Sequence, residues 1–449
     1  MPVRQLAEAT PARRDRVIDG LRAGSLSVVV IGHCAMALVY WHRGVPELGN
    51  VLAAHRSAQL ATWVLQVVPL FFVAGGASNA LSWRSRRAQG YAAWLWSRSA
   101  RLLRPVLVYL ALTAPIAWLV ARLVPNAVSA PLLALSTQLL WFLGAYLVVT
   151  ALGPLLLRAH DRAPWLSVLG LGASSVVVDV IRFGGGVRIV GVLNFVTVWA
   201  LCAQLGVCYV DRLIPSRRAG ILALVGVGLN ALVVTRFHYP LSMVGMPGDR
   251  FSNVSPPTTV LMILGVVEAL AAIALREPLG RLMTRVGVWR YVVAVNASAM
   301  TLYLWHLPVL IVLYVLEHAS GLTLPTSRSG GLVVMGPHYP WLWPVHFVLF
   351  ALGVVGVVSV LWVLESAPLV FWDRASRLAP LPGGLASALG ALGVIVCGTG
   401  LLVLAGVGLA GFPTRVVHFS GLSLSSGLGT GLTLVGALGV RAATAPRRL

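Results

Sequence analysis

The sequence predicts an all-α fold: a polytopic transmembrane helical bundle of about eleven spans, with a weaker twelfth, and a cytoplasmic N-terminus. Of 449 residues, 58% are hydrophobic and only 10% charged, and the mean hydropathy is +0.86. Apolar runs of about eighteen residues or more recur along the whole chain, long enough to cross the hydrocarbon of a bilayer as helices. The third observation, the placement of arginine, sets the orientation.

Taken in order, spans are expected at 24–41, 60–82, 102–124, 131–156, 165–181, 189–210, 219–235, 257–275, 291–316, 341–364 and 385–411, with a Gly- and Ser-rich segment at 420–440. Pro69, Gly75 and Gly76 do not argue against helices, because transmembrane helices tolerate such residues better than soluble ones. With the N-terminus inside, the cytoplasmic connections hold 25 arginines and the outer ones 9. That excess is decisive for the orientation, and the arginines after 440 accord with a twelfth span. An Arg-rich N-terminus resembles a signal peptide, but no small-residue cleavage site follows, so an uncleaved first helix is expected. The longest connections are the outer loops 236–256 and 317–340 and the cytoplasmic loop 83–101. The outer loops carry Arg236, His238, Tyr239, Asp249, Arg250 and His338, which read as solvated connectors or as lining for a polar acceptor.

The net charge of +21 could suggest nucleic acid, yet the basic residues fall in short clusters between apolar spans and form no basic domain. Nucleic-acid binding is therefore excluded, and the bilayer is the expected partner. Every basic residue of the Lys+Arg total is Arg, which we take as compositional bias. Cys34, Cys202, Cys208 and Cys397 all lie within apolar spans without a CxxC pair, so a disulfide framework or a metal site is not expected.

Three polar clusters interrupt the apolar spans. Arg22 and His33 are eleven steps apart, about three turns, so they project from nearly one helix face with the imidazole about 16 Å further along. That placement puts the guanidinium at a membrane face and the imidazole near mid-bilayer, where an ionisable group is a functional candidate; an anchoring arginine and a packing histidine are the alternative. Arg98, Arg101 and Arg104 recur every third residue, and paired guanidiniums offer planar forks suited to polyphosphate or carboxylate. They serve equally well as a positive-inside cluster. Tyr303 and His306 share a face before Pro308, a second intramembrane polar site or a helix–helix hydrogen-bonding pair. Gly75 and Gly76 permit close backbone approach, Asp179 and Arg182 read as a local ion pair, and Glu268 as a proton-handling group or a partner for an arginine on another helix.

In their order, Arg22 and His33 at this spacing, PLFFVAGG at 69–76, Arg98/Arg101/Arg104 before Pro105, LWFLGAYLVV at 140–149 and LYLWHLPV at 302–309 resemble the acyltransferase-3 family of integral-membrane acyltransferases. The resemblance implies an enzyme that moves an acyl group, often acetyl, from cytoplasmic acyl-coenzyme A to a hydroxyl of a carbohydrate-type or other polar acceptor. Acyl-CoA would be a co-substrate, with no bound cofactor. His33 then looks like the catalytic histidine with Arg22 as its motif partner. Arg98 with Arg101, or Arg101 with Arg104, look like the paired donor-binding arginines, and Tyr303 and His306 stand at an acceptor or second polar site. Ala74 replaces the family's usual serine. The implied organisation is a cytoplasmic tail at 1–15, a membrane domain of about ten spans at 16–372 and an extension with one or two further spans at 373–449, in the plasma membrane of a bacterium. A proton-coupled transporter or flippase for a lipid-linked or small-molecule substrate is the competing reading, although no matched pair of broken helices supports it.

Overall fold

The computed structural model describes residues 3–11, 14–246, 249, 251–366, 372, 381–419 and 422–443. Arg250, part of the N-terminal tail, and residues 373–380 and 444–449 of the extension lie outside the described residues. The chain forms α1 (Val3–Glu8), α2 (Arg16–Met36), the strands β1 (Ala37–His42) and β2 (Val45–Asn50), a single turn α3 (Thr62–Leu65), and α4 (Val68–Arg86). There follow α5 (Tyr91–Leu123), α6 (Asn126–Thr137), α7 (Leu140–Arg162), α8 (Pro164–Asp179), α9 (Asn194–Val210) and α10 (Ser216–Arg236). The second half holds α11 (Thr259–Ala274), α12 (Arg276–Met283), α13 (Val286–Ala297), α14 (Ala299–Ala319), β3 (Thr326–Ser329), β4 (Leu332–Met335) and α15 (Tyr339–Ser366). It closes with α16 (Gly383–Val407), β5 (Val416–Phe419), β6 (Leu422–Ser425) and α17 (Ser426–Ala442).

Among the described residues, ten helical segments are long and apolar enough to span a bilayer, and α11 with α12, bent by 63°, makes an eleventh. The all-α polytopic bundle is therefore the fold. Its element ends differ from expectation where non-local pairing competes with hydropathy. The first span, α2, begins at Arg16, where Asp15 Oδ1 accepts the N–H groups of Val17 at 3.0 Å and Ile18 at 3.3 Å, as an N-terminal cap does. It stops at Met36 because residues 37–42 pair with 45–50 through a two-residue turn. Arg43 and Gly44 both take positive φ, 51° and 79°, the combination that a type I′ hairpin turn requires. The expected span 291–316 is two helices that meet at Ser298, and 420–440 is a strand followed by a helix of 17 residues.

The chain divides into two compact units. The first comprises residues 1–33, 52–85 and 152–299, and its centre is the crossing of α4 with α9. A Cβ added at Gly76 would lie 2.0 Å from the Ala203 carbonyl oxygen, and one at Gly206 would lie 2.0 Å from that of Val73. Glycine at both positions lets the backbones touch, as small residues do in membrane helix pairs. Phe72 stacks on Trp199 beside this crossing, with centroids 4.6 Å apart. Ala74 is buried in the same core with Tyr209 and Leu270.

The second unit comprises residues 34–51, 86–151 and 300–449. Its hairpins β1–β2 and β3–β4 lie against each other: Thr326 Oγ1 donates to the Val39 carbonyl at 2.9 Å, and Arg328 Nη1 meets Glu47 Oε1 at 3.5 Å. Helices α16 and α17 approach through glycines seven residues apart, Gly393 and Gly400 on one and Gly429 and Gly436 on the other. A Cβ at Gly436 would sit 2.3 Å from the Cys397 nitrogen. All four cysteines are free and buried.

Candidate functional site

Arg22 and His33 sit on α2, both half-buried. At about 1.5 Å per residue their Cα atoms are separated by about 16 Å along the axis, but the helix ends three residues after His33. The imidazole is thus in the last turn of its helix. One turn beyond Arg22, Ser25 is 3% exposed and its hydroxyl makes no hydrogen bond among the described residues. Arg22 and His33 belong to the first unit.

The arginine triplet lies in the N-terminal half of α5, which begins at Tyr91 and runs for 33 residues. Successive positions three apart rotate by about 60°, so the triplet fans over about 120° of the helix surface. Arg101 is exposed, whereas Arg98 and Arg104 are half-buried. Leu95, Ser99 and Leu103, four residues apart in turn, form the buried side of the same stretch.

Tyr303 and His306 lie together on α14, as their spacing implies. The Tyr303 hydroxyl donates to the Leu139 carbonyl at 2.6 Å, and its ring lies 6.3 Å from that of the fully buried His306. His306 Nδ1 is 3.0 Å from the Leu302 carbonyl; a carbonyl only accepts, so Nδ1 carries the proton. The arginine triplet, Tyr303 and His306 all belong to the second unit.

Two of the sequence readings are narrowed. Asp179 and Arg182 lie within electrostatic reach of each other across the π-turn from Val180 to Gly184, but the hydrogen bonds of each go to other partners. Asp179 accepts hydrogen bonds instead from Asn194 Nδ2 at 3.2 Å, the Tyr239 hydroxyl at 3.2 Å and the Thr259 N–H at 2.6 Å, which caps α11. Arg182 donates to the Pro256 carbonyl and lies over the Phe183 ring at 4.6 Å. Tyr239, read as a solvated connector or as acceptor lining, is half-buried and anchored on Asp179. Glu268 has no arginine partner among the described residues, and neither carboxyl oxygen is hydrogen-bonded.

Two constellations escape sequence reading because their members come from distant helices. In the second unit, Glu317 of α14 and His346 of α15 form a buried pair at 2.7 Å. In the first unit, Arg84 grips Asp211 with both terminal nitrogens, at 2.5 and 2.8 Å. His160 Nε2 meets the same carboxylate at 3.1 Å, and Gln204 donates to His160 Nδ1 at 3.0 Å. Asp211 closes the C-terminus of α9, beyond the apolar helix. The hydrogen bond from Arg84 holds its carboxyl below the usual aspartate range against the opposing effect of burial, with His160 adding to the depression. A depressed folded-state value contributes stability above the unfolded value of about 4, lost as pH falls through the folded one. Asp211→Asn should therefore lower the melting temperature at neutral pH and flatten its fall below about pH 4, read by scanning fluorimetry in detergent. Identical acid limbs for the two proteins would refute this assignment.

Among the described residues no group of three or more His, Cys, Asp or Glu side chains could hold a metal ion. Residues 15–363 match a family model described as an acyltransferase domain. That stretch contains α2, the arginine triplet, Tyr303, His306, Glu317 and His346, while α16 and α17 lie beyond it. No curated protein and no solved structure matches the chain.

Proposed function

The chain belongs to the acyltransferase-3 family, and from that premise we propose that this multi-pass membrane acyltransferase takes its acyl group, acetyl in the first instance, from acyl-coenzyme A and delivers it to a hydroxyl of a carbohydrate-type or other polar acceptor. The observation that carries the reading is a match over residues 15–363 that contains His33 and Arg22 on one face of α2. By the arginine distribution, the donor approaches from the cytoplasm and the N-terminus faces the same side. The tail at 1–15, the membrane domain at 16–372 and the extension at 373–449 remain the proposed organisation.

A hydroxyl is a weak nucleophile at neutral pH, and an imidazole is the side chain suited to taking its proton there. The acceptor oxygen attacks the thioester carbonyl, the C–S bond breaks, and the proton passes through His33 to the departing thiolate. Arg22, on the same face about 16 Å away along the axis, is its motif partner at the cytoplasmic end of the helix. Arg98, Arg101 and Arg104 supply guanidinium forks for the phosphates of the donor. Of the three, Arg101 is the exposed one.

Consumption of acetyl-CoA by detergent-purified protein tests this directly. Wild type should turn it over, and Arg101→Ala should raise KM about tenfold, the scale of one charge-assisted hydrogen bond, with kcat little changed. Wild-type protein that neither binds nor consumes acetyl-CoA would sink the reading.

A further inference from the structure

One face of α14 is a buried polar stripe. Tyr303, His306, Tyr314 and Glu317 fall within about 80° of rotation and extend over about 21 Å, and all four are buried. The stripe ends at Glu317, 6% exposed, whose Oε1 accepts a hydrogen bond from Nδ1 of His346, 1% exposed. The Tyr314 ring lies 5.0 Å from the imidazole and its hydroxyl donates to the Ala37 carbonyl at 2.8 Å. Trp41 of β1 stacks on His318 at 3.9 Å. The β1–β2 hairpin is thereby fastened over this end of the helix.

The pair is only half satisfied. Glu317 Oε2, His346 Nε2 and the hydroxyl of Tyr339, itself 3% exposed, are buried and make no hydrogen bond among the described residues. Tyr339 and His346 are seven residues apart on α15, two turns, and so share a face; Tyr339 is within electrostatic reach of Glu317 and of Cys34. Native proteins satisfy nearly all buried polar groups, so three unsatisfied ones at a single helix pair point to a ligand. A carboxylate that accepts Nδ1–H fixes the tautomer and leaves Nε2 as an acceptor, the arrangement by which a carboxylate orients a working histidine.

We propose that Glu317, His346 and Tyr339 form a second site, one that binds a neutral hydroxyl-bearing ligand. The ligand hydroxyl donates to His346 Nε2 or Glu317 Oε2, and its oxygen accepts from the Tyr339 hydroxyl. Phosphate and carboxylate ligands do not fit, because two of the three atoms are lone-pair acceptors and one belongs to a carboxylate. Glu317 is a positioning residue that acts through His346. Together with the acyl-transfer reading, on which its biological meaning rests, the site gives the acceptor polyol a place to bind.

The test uses the full chain in detergent, labelled with 15N-histidine, with the His346 resonances identified by their loss in H346Q. Sorbitol and methyl glucoside, titrated into the millimolar range, should shift the Nε2 resonance saturably. Y339F, which keeps the ring and the Glu317–His346 pair, should weaken that response about tenfold, the scale of one lost hydrogen bond. If H346Q does not fold, E317Q identifies the same resonances through the altered tautomer. No shift with either polyol overturns the site, as does an equal shift with phosphate or with ethylammonium. Acetyl-CoA turnover in the same preparations keeps the two readings apart. Polyol binding without turnover leaves this site and removes the transfer reading, whereas turnover without polyol binding does the reverse.

Discussion

His33→Ala is expected to reduce acyl transfer by at least about a hundredfold, and by up to about 10⁴-fold, the range that general-base catalysis supplies. The loss should appear in kcat, with KM for acetyl-CoA nearly unchanged, because the donor's proposed contacts lie on α5 and those of the base on α2. A half-buried side chain in the last turn of its helix does not hold the core in the way that the fully buried Trp199 does. The variant should therefore purify as a folded protein and melt within a few degrees of wild type. His33→Gln, which keeps a polar group of similar size but titrates nowhere near neutral pH, separates loss of the base from loss of volume. If folded His33→Ala retains wild-type turnover, His33 has no part in the chemistry. Equal losses of turnover and of melting temperature in both variants would make it a packing residue.

Gly206→Val should prevent folding. Even the first carbon of the new side chain would sit 2.0 Å from the Val73 carbonyl oxygen and 2.7 Å from the Ala77 nitrogen. Both are backbone atoms of α4, so no rotamer change relieves the clash, and the helices must separate by more than an ångström. Separation also breaks the reciprocal contact of Gly76 with Ala203 and the stacking of Phe72 on Trp199. We expect a cost of about 4 kcal/mol or more, among the largest a single substitution produces. In size-exclusion chromatography of the solubilised chain the monodisperse peak should vanish. Gly228→Ala, on α10 with open space at its Cβ position, is the control and should behave as wild type. A monodisperse, normally melting Gly206→Val would mean that α4 and α9 do not cross at this point.

How much of this was legible depended on how local each cause is. The face shared by Arg22 and His33, or by Tyr303 and His306, follows from helix periodicity alone. The close approach at Gly76 was legible as a permission, although its partner, Ala203, was not. The end of α2 was misjudged because Ala37–His42 is as apolar as the helix before it, and only the pairing with Val45–Asn50 turns it into a strand. For Asp179 the sequence offers only its neighbour Arg182, which is indeed within electrostatic reach, but its hydrogen-bond donors come from residues 194, 239 and 259. Glu317 and His346, 29 residues apart, gave no signal beyond being ionisable groups in apolar surroundings.

By itself the sequence determined that the chain is a membrane bundle of about eleven spans. Satisfying the backbone inside hydrocarbon is a property of each segment taken alone, and an apolar run of sufficient length has only the helix to adopt. The tertiary structure alone decided which polar side chains meet. Burial makes an unpartnered polar group costly, and the partner available to each is set by which helix lies alongside, an arrangement that no single segment contains.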